Sequence, residues 1–115
     1  MSTVLVVEPS EFVRDQLRVL FKQKGIPFIE AISGKDALEK AGKTFPDTVF
    51  MDLALLDIDP TVVILGLKKI NPQTRIIITS ENMNKQQAGL AIQAGVKEFL
   101  LKPYRLEAIM EKLAS

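Results

Sequence analysis

The 115-residue sequence contains no cysteine and no histidine. Without cysteine there can be no disulfide, thiolate metal site or cysteine nucleophile. Without histidine there is neither a serine–histidine triad nor the usual zinc or haem ligand. Basic and acidic residues are nearly balanced, 15 against 14, so the chain has no overall field that would attract nucleic acid or an anionic membrane.

Long hydrophobic runs are also missing. The first apolar stretch, Val4 to Val7, is too short for the apolar region of a signal peptide and follows no basic leader. No segment approaches the roughly 20 apolar residues that a membrane-spanning helix needs, so the cytoplasm is the default location. With 47% hydrophobic and 25% charged residues the chain has the balance of a globular protein. We predict one domain over residues 1–115, large enough to bury a core.

Short apolar runs alternate with longer amphipathic stretches, which is the pattern of a parallel sheet covered by helices on both faces. Five such units predict a single doubly wound α/β domain. The predicted strands span residues 3–7, 27–32, 48–51, 75–79 and 97–101. The predicted helices run from Ser10 to Lys24, from Ser33 onward, from Asp59 to before Asn71, up to Gly95, and from Arg105 to Ala114.

Apolar spacing also predicts which helix side chains face the core. The second helix should have its N-cap at Ser33. The side chains expected to be buried by the second and last helices are Ala37, Leu38, Ala41, Phe45, Leu106, Ile109, Met110 and Leu113.

Four polar residues each follow an apolar run, at the carboxyl end of a predicted strand. They are Glu8, Asp52, Thr79 and Lys102. In open α/β sheets, ligands bind in the crevice outside those carboxyl ends. Two carboxylates, a hydroxyl and an ammonium should therefore meet at one place, and this set suits a magnesium-assisted phosphoryl group.

Five segments, in this order and at these separations, resemble the receiver domain, the phosphoacceptor module of two-component response regulators. The segments are residues 4–8, 46–52, 76–80, 94–99 and 100–103. The resemblance implies a flavodoxin-like sheet with strand order 2-1-3-4-5 and five helices. It also implies that Asp52 receives a phosphoryl group from a histidine kinase or phosphotransfer protein. Such a module is no enzyme, and at most removes its own phosphoryl group.

The resemblance assigns roles around Asp52. The ammonium of Lys102, the hydroxyl of Thr79 and the backbone N–H of Ser80 would contact the phosphoryl oxygens, which need fixed donors. Phe99 matches an aromatic position whose rotamer reports the movement of Thr79.

The implied Mg²⁺ site would use Glu8, Asp52 and the backbone carbonyl of Ala54. Receivers usually have two adjacent acidic residues after the first strand, whereas this chain has Glu8-Pro9. Loss of a charge next to a dication weakens its binding, so Mg²⁺ should bind more weakly than in an ordinary receiver.

The segment after Asp52 departs from the pattern too. Where receivers commonly have an Asp-Gly turn, this chain has Asp59-Pro60. Proline cannot adopt the positive φ of glycine, so the loop should take another path, with Asp59 as the N-cap and Pro60 as the first residue of the third helix. Asp57 is either a substitute for the missing acid or a solvent-facing loop residue.

Other functions stay open at this point. Pro9 and the altered loop motivate a pseudo-receiver, which would bind partners without phosphorylation. A flavin- or nucleotide-binding enzyme could share the topology, but the acidic segment 8–11 lacks the glycines of a phosphate-binding loop. An output protein or a second copy would use the face of the fourth helix, fifth strand and fifth helix, which includes Lys85, Lys97 and Tyr104. Pro103 matches a position where the family often has a cis peptide.

Overall fold

A computed structural model describes residues 3–55, 57–82 and 84–114. Within these residues, five strands and five helices alternate along the chain. The strands are β1 Val4–Val7, β2 Phe28–Ala31, β3 Thr48–Asp52, β4 Arg75–Ser80 and β5 Glu98–Leu101. The helices are α1 Glu11–Gln23, α2 Gly34–Thr44, α3 Pro60–Ile70, α4 Lys85–Gln93 and α5 Leu106–Ala114. None of the described helices has the length and apolar character needed to cross a membrane.

All strand pairs are parallel and the strand order is β2-β1-β3-β4-β5, which confirms the predicted order. The register aligns the carboxyl ends of the inner strands. Asp52 at the end of β3 lies opposite Thr79 in β4, and Ser80 lies opposite Leu101 in β5. The residues predicted to form the site therefore lie at one edge of the sheet.

The sheet separates two apolar layers because successive strand side chains point to opposite faces. In β1, Leu5 packs into the layer beneath α2 and α3, whereas Val6 packs into the layer with α1 and α5. Phe21 of α1 and Ile109 of α5 are fully buried in the second layer. The inner strands are covered on both faces, which explains why they are continuous apolar runs.

Side-chain caps set the beginnings of the helices. The hydroxyl of Ser33 accepts a hydrogen bond from the backbone N–H of Asp36, and the carboxylate of Asp59 accepts one from that of Thr61. Pro60 follows as the first residue of α3. The predicted N-caps Ser33 and Asp59 are therefore confirmed. Gly25, just after α1, has a left-handed backbone with φ of 65°, which is common where a helix ends.

Two predictions of buried side chains were wrong. Phe45 is the C-cap of α2, with φ of 48°, and is 59% exposed. The chain leaves the helix there to enter Pro46, and the residue before proline disfavours the helical region, so the ring no longer lies on the packed face. Leu106 is the first residue of α5 and is 37% exposed, because an end residue has packed neighbours on one side only.

Replacing Phe45 with glycine should raise the free energy of unfolding by about 1 kcal/mol. A left-handed residue with a Cβ costs about 1–2 kcal/mol, and the greater backbone entropy that glycine loses on folding offsets only part of this gain. Phe45→Ala is the matched control, because it removes the ring but keeps the Cβ. Urea denaturation of both variants checks this. Equal or greater stability of the alanine variant would show that the left-handed backbone at this position costs no more than the extra entropy that glycine loses.

Candidate functional site

Lys102 links the carboxylates of the two strand ends. Its Nζ lies 2.6 Å from Oε1 of Glu8 and also contacts Oδ2 of Asp52. Its backbone N–H donates to the carbonyl of Ser80 at 2.8 Å, which holds the residue against the sheet after β5 has ended. The structure therefore brings together Glu8, Asp52 and Lys102, which are far apart in the sequence.

The remaining carboxylate oxygens accept backbone hydrogen bonds. Oε2 of Glu8 accepts from the N–H of Ser10 at 3.0 Å, and Oδ1 of Asp52 accepts from the N–H of Ala54 at 2.7 Å. The carboxylates are nearly inaccessible, with side chains 4% and 9% exposed. Each oxygen thus has a donor, as buried charges require, and the two acids and one ammonium form a closed network.

Burial and pairing act in opposite directions on the charges of this network. Burial raises the pKa of Glu8, although the hydrogen bonds from Lys102 and Ser10 oppose the shift. For Lys102, burial opposes the charged form, but hydrogen bonds to Asp52 and Glu8 prevail and raise its pKa. The ammonium is therefore firmly charged, and it is the fixed positive charge beside Asp52.

Thr79 and Ser80 lie next to Asp52 across the β3–β4 pair. Thr79 is directly opposite Asp52, and both Thr79 and Ser80 are buried. A cavity of about 290 Å³ opens here. It is lined by Asp52, Leu53, Ala54, Ser80, Glu81, Asn82 and Gln87. The cavity therefore lies against Asp52, next to the loops that follow β3 and β4.

Tyr104 lies next to the site. From the sequence we predicted it only as part of the partner-binding face. It lines a second cavity, of about 550 Å³, together with Lys102 and Ser10. Burial raises the pKa of Tyr104 to about 12, and the charges of Lys102, Glu8 and Asp52 also act on its hydroxyl. The Lys102-Pro103 peptide, which precedes Tyr104, is cis, the isomer that the resemblance implies.

Asp57 does not substitute for the missing acid. Its two carboxylate oxygens accept hydrogen bonds from the backbone N–H groups of Gly34 and Lys35, both at 2.9 Å, at the beginning of α2. The residue is exposed, as the solvent-facing interpretation expected, but it binds a helix terminus. Asp59 and Pro60 then form the beginning of α3, as its N-cap and its first residue.

The strand ends offer few ligands for the Mg²⁺ that the resemblance implies. Pro9 is exposed and offers no ligand, and among residues 3–55, 57–82 and 84–114 no three acidic, histidine or cysteine side chains are grouped to hold a metal. Two carboxylates and a backbone carbonyl suit Mg²⁺ when waters and phosphate oxygens complete its shell. The donor types fit, but the Lys102 ammonium already contacts both carboxylates.

The other predicted residues lie in α4, in β5 and in the segments on either side of β5. Phe99 is half-buried in β5, opposite Ile78, and packs against the core layer of α2 and α3. Lys85 and Lys97 are exposed, whereas Tyr104 is half-buried.

A doubly wound sheet with a lysine-paired aspartate at its carboxyl edge is typical of phosphoacceptor modules. The family model of the response regulator receiver domain matches residues 4–114, and the chain belongs to this family. Receiver domains are signalling modules of two-component systems.

The relatives and solved structures agree with this family. The chemotaxis protein CheY of Bacillus subtilis (strain 168) is 31% identical, over 96% of this chain and 92% of that protein. CheY of Thermotoga maritima is 32% identical with the same coverage. A CheY-like receiver domain protein of Methanospirillum hungatei has a TM-score of 0.94 at 18% identity, over 99% of this chain and 91% of that chain. The beryllofluoride-activated NtrC4 receiver domain dimer has a TM-score of 0.88 at 25% identity, over 99% and 94%.

Proposed function

We propose that Asp52 is the phosphoacceptor of this receiver domain and that its phosphorylation switches protein–protein interactions. The observation that carries the proposal is the contact of the Lys102 ammonium with Oδ2 of Asp52, beside a cavity that Asp52 helps to line. A pair of this kind places positive charge where the phosphoryl oxygens will lie, before the group arrives.

The donor is a phosphohistidine of a kinase or phosphotransfer protein. A carboxylate oxygen of Asp52 attacks phosphorus, the new P–O bond forms as the P–N bond breaks, and the electron pair leaves with the histidine nitrogen. The added negative charge is met by Lys102, the hydroxyl of Thr79 and the N–H of Ser80. With such a donor, the location that we propose for this protein is the cytoplasm.

Mg²⁺ would be held by Glu8, Asp52 and the carbonyl of Ala54, with waters and phosphoryl oxygens as further ligands. When bound, it supplies charge neutralisation to the transferring group. Its affinity is expected to be low, because Pro9 replaces a carboxylate and Lys102 contacts both acids that remain.

Phosphoryl uptake is tested by incubating the chain with magnesium and acetyl phosphate and following the mass of the intact protein. We expect an added phosphoryl mass that is absent from Asp52→Asn. Asp47→Asn is the matched control, because Asp47 precedes β3 at the opposite edge of the sheet and binds the N–H of Thr3. An adduct on Asp52→Asn, or none on the unaltered chain, would exclude Asp52 as the acceptor.

The alternatives are less well supported. The pseudo-receiver is motivated by Pro9, but the Lys102–Asp52 pair that phosphorylation needs is intact. The first loop also does not suit a nucleotide, because the N–H of Ser10 is bound by the carboxylate of Glu8.

The face of α4, β5 and α5 is the expected contact surface for an output protein or a second copy of the chain. Several apolar side chains are exposed along it, including Ile92, Leu101 and Leu106. In this proposal the ring of Phe99, which lies in β5, reports the movement of Thr79 to that face.

A further inference from the structure

Asp57 connects the loop after β3 to a helix more than twenty residues earlier in the chain. Its Oδ1 accepts from the N–H of Gly34 and its Oδ2 from the N–H of Lys35, each at 2.9 Å. These backbone hydrogen bonds, that of Lys35 first and that of Gly34 next, lower the pKa of Asp57. The carboxylate is therefore ionised at neutral pH, and both of its oxygens bind the beginning of α2.

Gly34, the first residue of α2, also makes the contact with the Asp57 loop possible. A Cβ at Gly34 would lie 2.8 Å from Cγ2 of Val63 and 3.3 Å from both Oδ1 of Asp57 and Cβ of Ile58. Only a residue without a side chain allows this approach. The loop and the first turn of α3 thus pack directly on the backbone of α2.

The same loop carries backbone groups of the phosphorylation site. The N–H of Ala54 donates to Asp52 at 2.7 Å, and the N–H of Leu53 donates to the carbonyl of Thr79 at 2.9 Å. Leu53 and Leu55 are buried in the core while Ala54 between them is exposed. Apolar burial is non-directional, so it holds the loop down without fixing its orientation. The paired hydrogen bonds of Asp57 supply that orientation.

We propose that Asp57 is a positioning residue for phosphoryl transfer to Asp52, which it serves by anchoring the loop that carries the backbone of Ala54 to the beginning of α2. The inference rests on the proposed function of Asp52. Asp57 acts through the loop and touches neither the phosphoryl group nor its acceptor. Its loss lets the loop shift, which misplaces the N–H and the carbonyl of Ala54 relative to the Asp52 carboxylate.

The rate of phosphoryl uptake from acetyl phosphate distinguishes positioning from helix stabilisation. Asp57→Ala is compared with Ser33→Ala, which removes another cap of the same helix without touching the loop, since Ser33 binds the N–H of Asp36. We expect uptake to fall at least about tenfold in Asp57→Ala and by less than about twofold in Ser33→Ala, because a misplacement of about 1 Å can cost about 100-fold. Asp57→Asn keeps one acceptor oxygen, so its rate should lie between that of Asp57→Ala and that of the unaltered chain.

Thermal unfolding of the same variants provides the second readout. Similar melting temperatures for Asp57→Ala and Ser33→Ala, with only the first slow in uptake, support positioning. Equal slowing in both variants would overturn it, since the effect would then follow from a weakened α2. Normal uptake by Asp57→Ala would overturn it as well, with Asp52 still the acceptor. If the unaltered chain takes up no phosphoryl group, the proposed function fails first and the positioning role fails with it.

Discussion

Replacing Lys102 with methionine is expected to lower the free energy of unfolding by about 3–5 kcal/mol at neutral pH, the range for breaking a buried ion pair by removing one partner. Methionine keeps much of the length of the side chain and removes its charge. Glu8 and Asp52 would then be two buried carboxylates, each with a hydrogen bond from a backbone N–H and none from a side chain. The loss should be far larger than for Lys97→Met, because Lys97 is exposed and such substitutions stay within about 0.5 kcal/mol.

The difference in unfolding free energy between the unaltered chain and Lys102→Met should become smaller as the pH falls. The pKa of Glu8 is already raised by burial, and removal of the ammonium raises it further. A carboxyl whose folded pKa lies above its unfolded pKa is destabilising when ionised. Its penalty is complete above the folded pKa and absent below the unfolded one.

Urea denaturation of the unaltered chain and of Lys102→Met at about pH 5 and about pH 7.5 measures both effects. The difference between the two proteins should be smaller at the lower pH. A difference below about 1 kcal/mol at both values, which is the size of an exposed ion pair, would mean that water screens the network.

The gathering of Glu8, Asp52 and Lys102 follows from a pattern visible in the sequence. Buried parallel strands are continuous apolar runs, so the polar residue after each run marks a strand end. Parallel strands place those ends at one edge, whatever their separation along the chain. This is why Lys102 and Glu8, 94 residues apart, form a direct pair.

Other features depend on distances that no local pattern encodes. Periodicity showed that α2 has a packed face, but it could not show that the helix ends at Thr44 and leaves Phe45 outside. The partner of Asp57 lies at the beginning of another element, and nothing near Asp57 in the sequence identifies it. Gly34 was the available signal, because a glycine at the start of a helix suggests close approach of another segment.

Pro9→Asp should raise the affinity for Mg²⁺ by at least about tenfold. A carboxylate about 4 Å from a dication contributes up to roughly 8 kcal/mol at an effective dielectric of 20. Pro9 is exposed, so solvent screens much of this attraction. Even a quarter of it, about 2 kcal/mol, corresponds to more than one decade in the dissociation constant. The substitution would also give the site a pair of adjacent acids, which is the usual receiver pattern.

The chain contains its own reporter for this measurement. Tyr104 is the single tyrosine and there is no tryptophan, and the charges of Lys102, Glu8 and Asp52 act on it. A magnesium titration followed by tyrosine fluorescence, repeated by calorimetry, should give tighter binding for Pro9→Asp. Pro9→Asn is the matched control, because it restores the same backbone N–H without the charge. If both variants bind Mg²⁺ alike, the proline weakens the site through the backbone and the missing carboxylate is not the cause.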